Sequence, residues 1–164
     1  MVSPTPAFTD EIAANGGSSV LQCFQCGTCT AGCPSGKNTA YRIRKLMRAA
    51  QLGLKDETVN TEDLWQCTTC YTCAERCPRD VQIVEVITAL RNIAVAEGKM
   101  YDGHRKVAAN LVKVGHTVDN NDKIKALRKE LGLPENPPTV MDNASAKADF
   151  DKILELTGFG RLVS

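Results

Sequence analysis

Aromatic residues make up only 5% of the 164 residues, and the apolar runs are short. Bulky rings supply much of the buried area of an ordinary core. A chain this poor in them has a thin core and needs some other source of cohesion. No run approaches the ~20 apolar residues of a membrane-spanning helix, so no membrane segment is expected. A charge surplus is missing too. The net charge of +1 lacks the basic footprint of a nucleic-acid binder, and no nucleic-acid partner is expected. Neither G-x-x-x-x-G-K nor G-x-G-x-x-G occurs, so Gly16-Gly17-Ser18-Ser19 reads as flexible linker rather than a phosphate loop. Histidine is scarce: His104 and His116 read as surface or helix-end residues, not ligands. The opening MVSPTPAFTDEIAANGG has no basic start followed by an apolar run, which leads us to expect no signal peptide and a cytoplasmic location.

Against that sparse background, all eight cysteines fall into two copies of one pattern. Cys23, Cys26, Cys29 and Cys33, followed by Pro34, spell C-x2-C-x2-C-x3-C-P, and Cys67, Cys70, Cys73 and Cys77, followed by Pro78, spell it again. Three thiolates on one short turning loop suit successive irons of a single 4Fe-4S cube. The fourth, stopped by proline, belongs in two-cluster ferredoxins to the other cube. Two copies therefore imply two 4Fe-4S clusters with crossed ligands. Cys23, Cys26, Cys29 and Cys77 hold the first, and Cys67, Cys70, Cys73 and Cys33 hold the second. Zinc and disulfides are the competing readings of an even cysteine count. Zinc ribbons, however, use cysteines in twos, and a disulfide scaffold belongs to secreted chains. Clusters also answer the thin core, because a site absent from the unfolded chain adds its binding free energy to folding.

Each cysteine of the second motif lies 44 residues after its counterpart, and a helical pattern follows both motifs. Ile43, Leu46, Met47 and Ala50 share one helical face after the first; Ile83, Ile87, Leu90 and Ala94 share one after the second. Between them, Asn60 or Thr61 can cap a short helix through Glu62, Asp63, Leu64 and Trp65 that delivers the chain to Cys67. No strand pattern interrupts this, so the fold class is mainly α. We expect an N-terminal arm at 1–20, a double-cluster domain at 21–102 and a helical extension at 103–164. In the extension, Arg105 to Val114 reads as a helix stopped by Gly115. Asn121 or Asp122 caps a second that ends near Gly132-Leu133-Pro134. An amphipathic stretch with Phe150, Ile153, Leu154 and Leu156 follows the stiff Pro134–Pro138 loop, and docking of this extension on another subunit is expected.

Other residues near the motifs invite roles. Arg76 and Arg79 flank Cys77, where their charge would raise a cluster's potential. Trp65 would shield a cluster while packing. In Tyr41-Arg42-Ile43-Arg44-Lys45-Leu46-Met47-Arg48, helical spacing turns Ile43, Leu46 and Met47 inward and the basic groups outward.

The long helical spacing between motifs resembles the alpha-helical ferredoxin domain of succinate dehydrogenase, glycolate oxidase and heterodisulfide reductase. Within that group the chain is most similar to the C-subunit family of heterodisulfide reductase. The similarity covers residues 21 to about 100, with Gly132-Leu133-Pro134 and Pro137-Pro138-Thr139-Val140 in the tail. No plant-type C-x4-C-x2-C spacing precedes Cys23, which separates it from succinate dehydrogenase. No adjacent cysteine pair is present, which separates it from the fused forms. The resemblance implies a one-electron relay with no catalytic residue of its own. Electrons would come from a flavin-containing, bifurcating A subunit and leave for the B subunit that reduces the coenzyme M-coenzyme B heterodisulfide in methanogenesis. A hydrogenase or formate dehydrogenase would complete the assembly. Two other functions fit the same motifs: a relay in another heterodisulfide-reductase-like or organic-acid oxidoreductase, and a scaffold or regulatory protein held together by clusters or zinc.

Overall fold

The computed structural model describes residues 4–163. Among them there is no strand, only a succession of helices and helical turns. They group into two units, one ending at Met100 and the other beginning at Tyr101.

In the first unit, α1 (Phe8–Ile12) runs through a π-type turn (Ala13–Gly17) and a 3-10 turn (Ser18–Gln22) into the first cysteine loop, which contains α2 (Thr28–Ala31). Pro34 then starts α3 (Pro34–Asn38), where the missing N–H of proline costs nothing. After α4 (Ile43–Gln51) and α5 (Lys55–Val59), a 3-10 turn (Glu62–Gln66) enters the second loop, with α6 (Thr72–Glu75) and finally α7 (Ile83–Ala96). Thr61 caps that turn, its hydroxyl accepting from the Asp63 N–H at 3.2 Å.

The expected inward faces are buried. Ile43, Leu46, Met47 and Ala50 of α4 lie inside, as do Ile83, Ile87, Leu90 and Ala94 of α7. Helix α7 also buries Val84, Val86, Ala89 and Ile93, more than one stripe, because α1, α5 and both 3-10 turns pack around it. Each fully buried Ile or Leu adds roughly 1.5–3 kcal/mol to the folding of this aromatic-poor unit. Phe8 and Ile12 are both 0% exposed, so the described part of residues 1–20 belongs to this core.

The glycine-serine segment read as flexible linker is a close crossing instead. Gly17 is buried, and a Cβ added there would lie 2.5 Å from Ile12 Cγ2 and 3.3 Å from the Val86 Cα. The Ser19 hydroxyl accepts from the Gln82 N–H at 3.0 Å. Small residues allow α1 and α7 to approach here, a demand that composition alone does not reveal.

The second unit contains α8 (Asp102–Val114), α9 (Asp122–Glu130), a 3-10 turn (Val140–Asp142), α10 (Ala144–Thr157) and α11 (Phe159–Val163). Helix α8 begins three residues before Arg105 and ends at Gly115, whose φ of +71° suits glycine. Asn121 caps α9, accepting from the Ile124 N–H at 3.1 Å. Asn143 caps α10. None of these helices has a buried residue among those described. Leu131, Ile153 and Leu156 are 65%, 58% and 77% exposed, so the unit holds its shape by caps and half-buried contacts.

Candidate iron-sulfur centres

The two cysteine loops repeat one another in backbone as well as in sequence. The turns Ser18–Gln22 and Glu62–Gln66 occupy equivalent positions, as do α2 and α6. Gln25 (φ 66°) and Gly27 (φ 88°) take left-handed conformations, and their counterparts Thr69 (φ 52°) and Tyr71 (φ 60°) do the same. Only Gly27 is at ease there; a β-branched or bulky residue pays about 1–2 kcal/mol for it. Left-handed residues at alternate positions curl a loop into a concave shape, one that suits a negatively charged group. The second loop keeps this curl without glycine, so the surrounding structure holds the strain.

All eight cysteines are free thiols. A small cavity is lined by Cys23, Cys26, Cys29 and Cys77. Cys33 does not line it. The sulfurs of Cys67, Cys33 and Cys73 lie near enough to the buried Tyr41 hydroxyl to act on it, Cys67 most strongly. Cys77 of the second motif thus lies with the first motif's triplet. No group of three or more His, Cys, Asp or Glu side chains among the described residues gathers tightly enough for a single metal ion. Four thiols spread around a cavity match a cube with iron at its corners better than tetrahedral zinc.

Local groups set the state of four of the thiols. The Thr28 hydroxyl, 3.4 Å from Cys26 Sγ, holds that exposed thiol below its ordinary pKa, and Thr72 acts likewise on Cys70 at 3.5 Å. Burial pushes Cys29 up, and burial together with the nearby Cys67 pushes Cys73 up to about 11. Iron must displace those protons when it binds. Cys33 Sγ accepts from the Gly36 N–H at 3.4 Å and Cys77 Sγ from the Val81 N–H at 3.3 Å. Such donors orient the thiolates and offset charge on sulfur.

A pair of clamps that no motif marks fixes both loops. The Gln51 amide donates to the carbonyl oxygens of Val20 and Cys23 at 3.1 and 2.6 Å. Arg91 donates to those of Leu64 and Cys67 at 3.0 and 2.7 Å. The acceptors are 44 residues apart, but the donors are 40 apart, because α3 occupies the first half and has no equivalent in the second. A signal of that shift lies in Ile43 and Ile83, and in Met47 and Ile87, which are also 40 apart. The guanidinium of Arg91 also lies over the Trp65 ring, 5.6 Å from its centroid. Half-buried Trp65 packs against the core beside Cys67.

Of the other singled-out residues, Arg79 lines the first cavity with Arg44. Arg76 is exposed and lies against Gly32. Arg42, Arg44, Lys45 and Arg48 are exposed on α4 and its approach, whereas Tyr41 is buried. His104 is exposed and meets Tyr101 edge-on at 5.8 Å. The His116 ring holds the turn at Val118, 3.1 Å from its backbone nitrogen.

A family profile described as a 4Fe-4S dicluster domain matches residues 19–81. Over 156 residues the chain is 48% identical to the C subunit of the H2:CoB-CoM heterodisulfide, ferredoxin reductase of Methanothermobacter marburgensis, covering 95% of this chain and 84% of that one. It is 49% identical over 145 residues to the iron-sulfur C subunit of the CoB-CoM heterodisulfide reductase of Methanopyrus kandleri, covering 88% and 76%. The chain belongs to the C-subunit family of heterodisulfide reductase. A relative in Methanosarcina acetivorans, named as the C subunit of a ferredoxin/F420H2-dependent CoB-CoM heterodisulfide reductase, is 40% identical over 148 residues, covering 90% and 91%. As a member of this family, the chain carries two 4Fe-4S clusters and serves electron transfer in an oxidoreductase complex. Its residues fit that cofactor: eight free thiols, a cysteine-lined cavity and the buried Tyr41 hydroxyl beside Cys67. No helix among the described residues is long and apolar enough to cross a membrane.

Proposed function

We propose that Cys23, Cys26, Cys29 and Cys77 hold one 4Fe-4S cluster, that Cys67, Cys70, Cys73 and Cys33 hold the other, and that the chain relays electrons singly between two partner subunits. The donor is a flavin-containing A subunit that bifurcates electrons. The acceptor is the B subunit that reduces the coenzyme M-coenzyme B heterodisulfide in methanogenesis. A hydrogenase or formate dehydrogenase feeds the A subunit, and the assembly works in the cytoplasm.

The observation that supports this most is the placement of the fourth cysteines: Cys77 lines the cavity of the first triplet, and Cys33 lies with Cys67 and Cys73 near the Tyr41 hydroxyl. Shared ligands fix two clusters side by side on one chain. With four thiolates each, the clusters supply one-electron transfer and offer no open position for a substrate. The chain's own residues do the rest. The loops curl around the sulfurs, Gly36 and Val81 donate to Cys33 and Cys77, and Gln51 and Arg91 hold the loops to the helices. The second unit, from Tyr101 on, docks the relay on its partners through helices whose apolar side chains are left unburied.

The test is a rapid-mixing experiment on the complex purified without oxygen. The clusters of this chain should be reduced only when the A subunit is supplied with reductant. They should be reoxidised on addition of heterodisulfide only when the B subunit is present. Clusters that stay oxidised throughout turnover would rule the relay out.

A further inference from the structure

We infer that the Tyr41 hydroxyl donates a hydrogen bond to a sulfur of the cluster held by Cys67, Cys70, Cys73 and Cys33, and that this bond raises the reduction potential of that cluster alone. The inference rests on the ligand set proposed above.

Tyr41 is 1% exposed, and its hydroxyl makes no hydrogen bond of full geometry among the described residues, the sulfur of Cys67 being the acceptor beside it. A hydroxyl buried this way costs about 1–3 kcal/mol, and a stable protein seldom carries that cost without a partner. The groups facing the phenol are the thiols of Cys67, Cys33 and Cys73. A phenol is protonated at neutral pH. It is therefore a donor, and its surroundings are the ligands of one cluster.

The repeat shows that this is a choice made in one half only. Tyr41 lies two residues before α4, and Val81 lies two residues before α7, 40 residues later. Val81 is 0% exposed and lines the first cavity with Cys23, Cys26, Cys29 and Cys77. Equivalent positions thus give one cluster a side-chain hydroxyl and the other a hydrocarbon side chain, Val81 donating to Cys77 only through its backbone N–H. The threonine contacts, by contrast, are matched: Thr28 with Cys26 and Thr72 with Cys70. Arg44 and Arg79 at the first cavity are exposed, so water and salt screen them.

Reduction adds one electron to the iron-sulfur unit and makes its sulfurs more negative. A donor fixed in a dry site stabilises that reduced form more than the oxidised form, and hydrogen bonds to sulfur are among the levers that set cluster potentials. For one such bond we expect about a tenfold change in the reduction equilibrium, which for one electron is about 59 mV.

The experiment is a redox titration of the full chain with both clusters loaded, followed by electron paramagnetic resonance, on wild type and Tyr41→Phe. Cys26→Ser and Cys70→Ser assign each signal to its cluster beforehand. Phenylalanine keeps the ring and removes only the hydroxyl. The expected result is unchanged iron and sulfide content, a potential lower by about 59 mV for the cluster that Cys70→Ser perturbs, and no change in the other. Site-specific fluorotyrosine at position 41, a stronger donor, should move the same potential upward, and it serves as the test if Tyr41→Phe loses its clusters. If neither substitution moves a potential, the hydroxyl bonds a buried water and the inference fails while the ligand set stands. If the cluster perturbed by Cys26→Ser shifts instead, the ligand set is wrong and the inference falls with it.

Discussion

Arg91→Ala should release the second cluster without touching the first. The guanidinium makes two hydrogen bonds, at 3.0 Å to Leu64 O and 2.7 Å to Cys67 O, and lies over Trp65. A hydrogen bond to a charged group contributes roughly 1.5–3 kcal/mol, and a cation over an aromatic ring adds roughly 0.5–1. The three contacts share one half-buried group and water replaces part of each, so they do not add. We take about 2 kcal/mol, or about thirtyfold in an equilibrium constant. The assay is iron release to a ferrous chelator without oxygen, with each cluster followed by its own spectrum. The second cluster should be lost up to about thirtyfold faster, the first at its ordinary rate. Arg91→Gln should recover much of the difference, since Gln51 performs the same task with an amide at the equivalent place. Equal loss of the two clusters in Arg91→Ala, or no acceleration, would refute the clamp.

Crossed ligation predicts that Cys33→Ser damages the cluster perturbed by Cys70→Ser, and Cys77→Ser the one perturbed by Cys26→Ser; the opposite pairing in their spectra would place each cluster within its own motif. Gly17→Ala forces a methyl to 2.5 Å from Ile12 Cγ2 and should destabilise the first unit by about 1–3 kcal/mol, read as a lower melting temperature; an unchanged one would mean that α1 shifts freely. Lys55, with Lys99 beside it, holds the Glu97 carboxyl below its ordinary range. A depressed carboxylate stabilises the fold above its unfolded pKa and loses that contribution as pH falls through the folded value. Glu97→Gln should therefore cost about 0.2–1 kcal/mol at neutral pH, because the pair is largely solvated, and the cost should vanish in acid and shrink in salt. A difference between the two proteins that is the same at every pH and salt concentration would show that packing, not charge, is responsible.

The cysteine spacing makes the cofactor legible, since few other arrangements ask for three thiolates and a fourth before proline. Helical periodicity makes α4 and α7 legible, because burial selects one face whatever the partner. Gln51 and Arg91 escape notice because they bond backbone carbonyls across the fold, and no local pattern marks a long polar side chain for that task. Tyr41 escapes because it precedes its helix and so lies outside the periodic stripe. Gly17 misleads because small residues look the same in a mobile linker and in a tight crossing; only the approach of Val86 tells them apart.

The proposed exchange of Cys33 and Cys77 between the two sets would also govern how the protein matures. A first cube that ties Cys29 to Cys77 must close a long stretch of unfolded chain, and Cys33 and Cys67, 34 positions apart, lie inside the loop so closed. Closing a loop of that size from the free chain costs about 3 kcal/mol of entropy, and most of it has been spent once the first cube is in place. The second cube then assembles on ends already held together. Loading is cooperative on this account, and chains with a single cube are scarce between the empty and the complete protein.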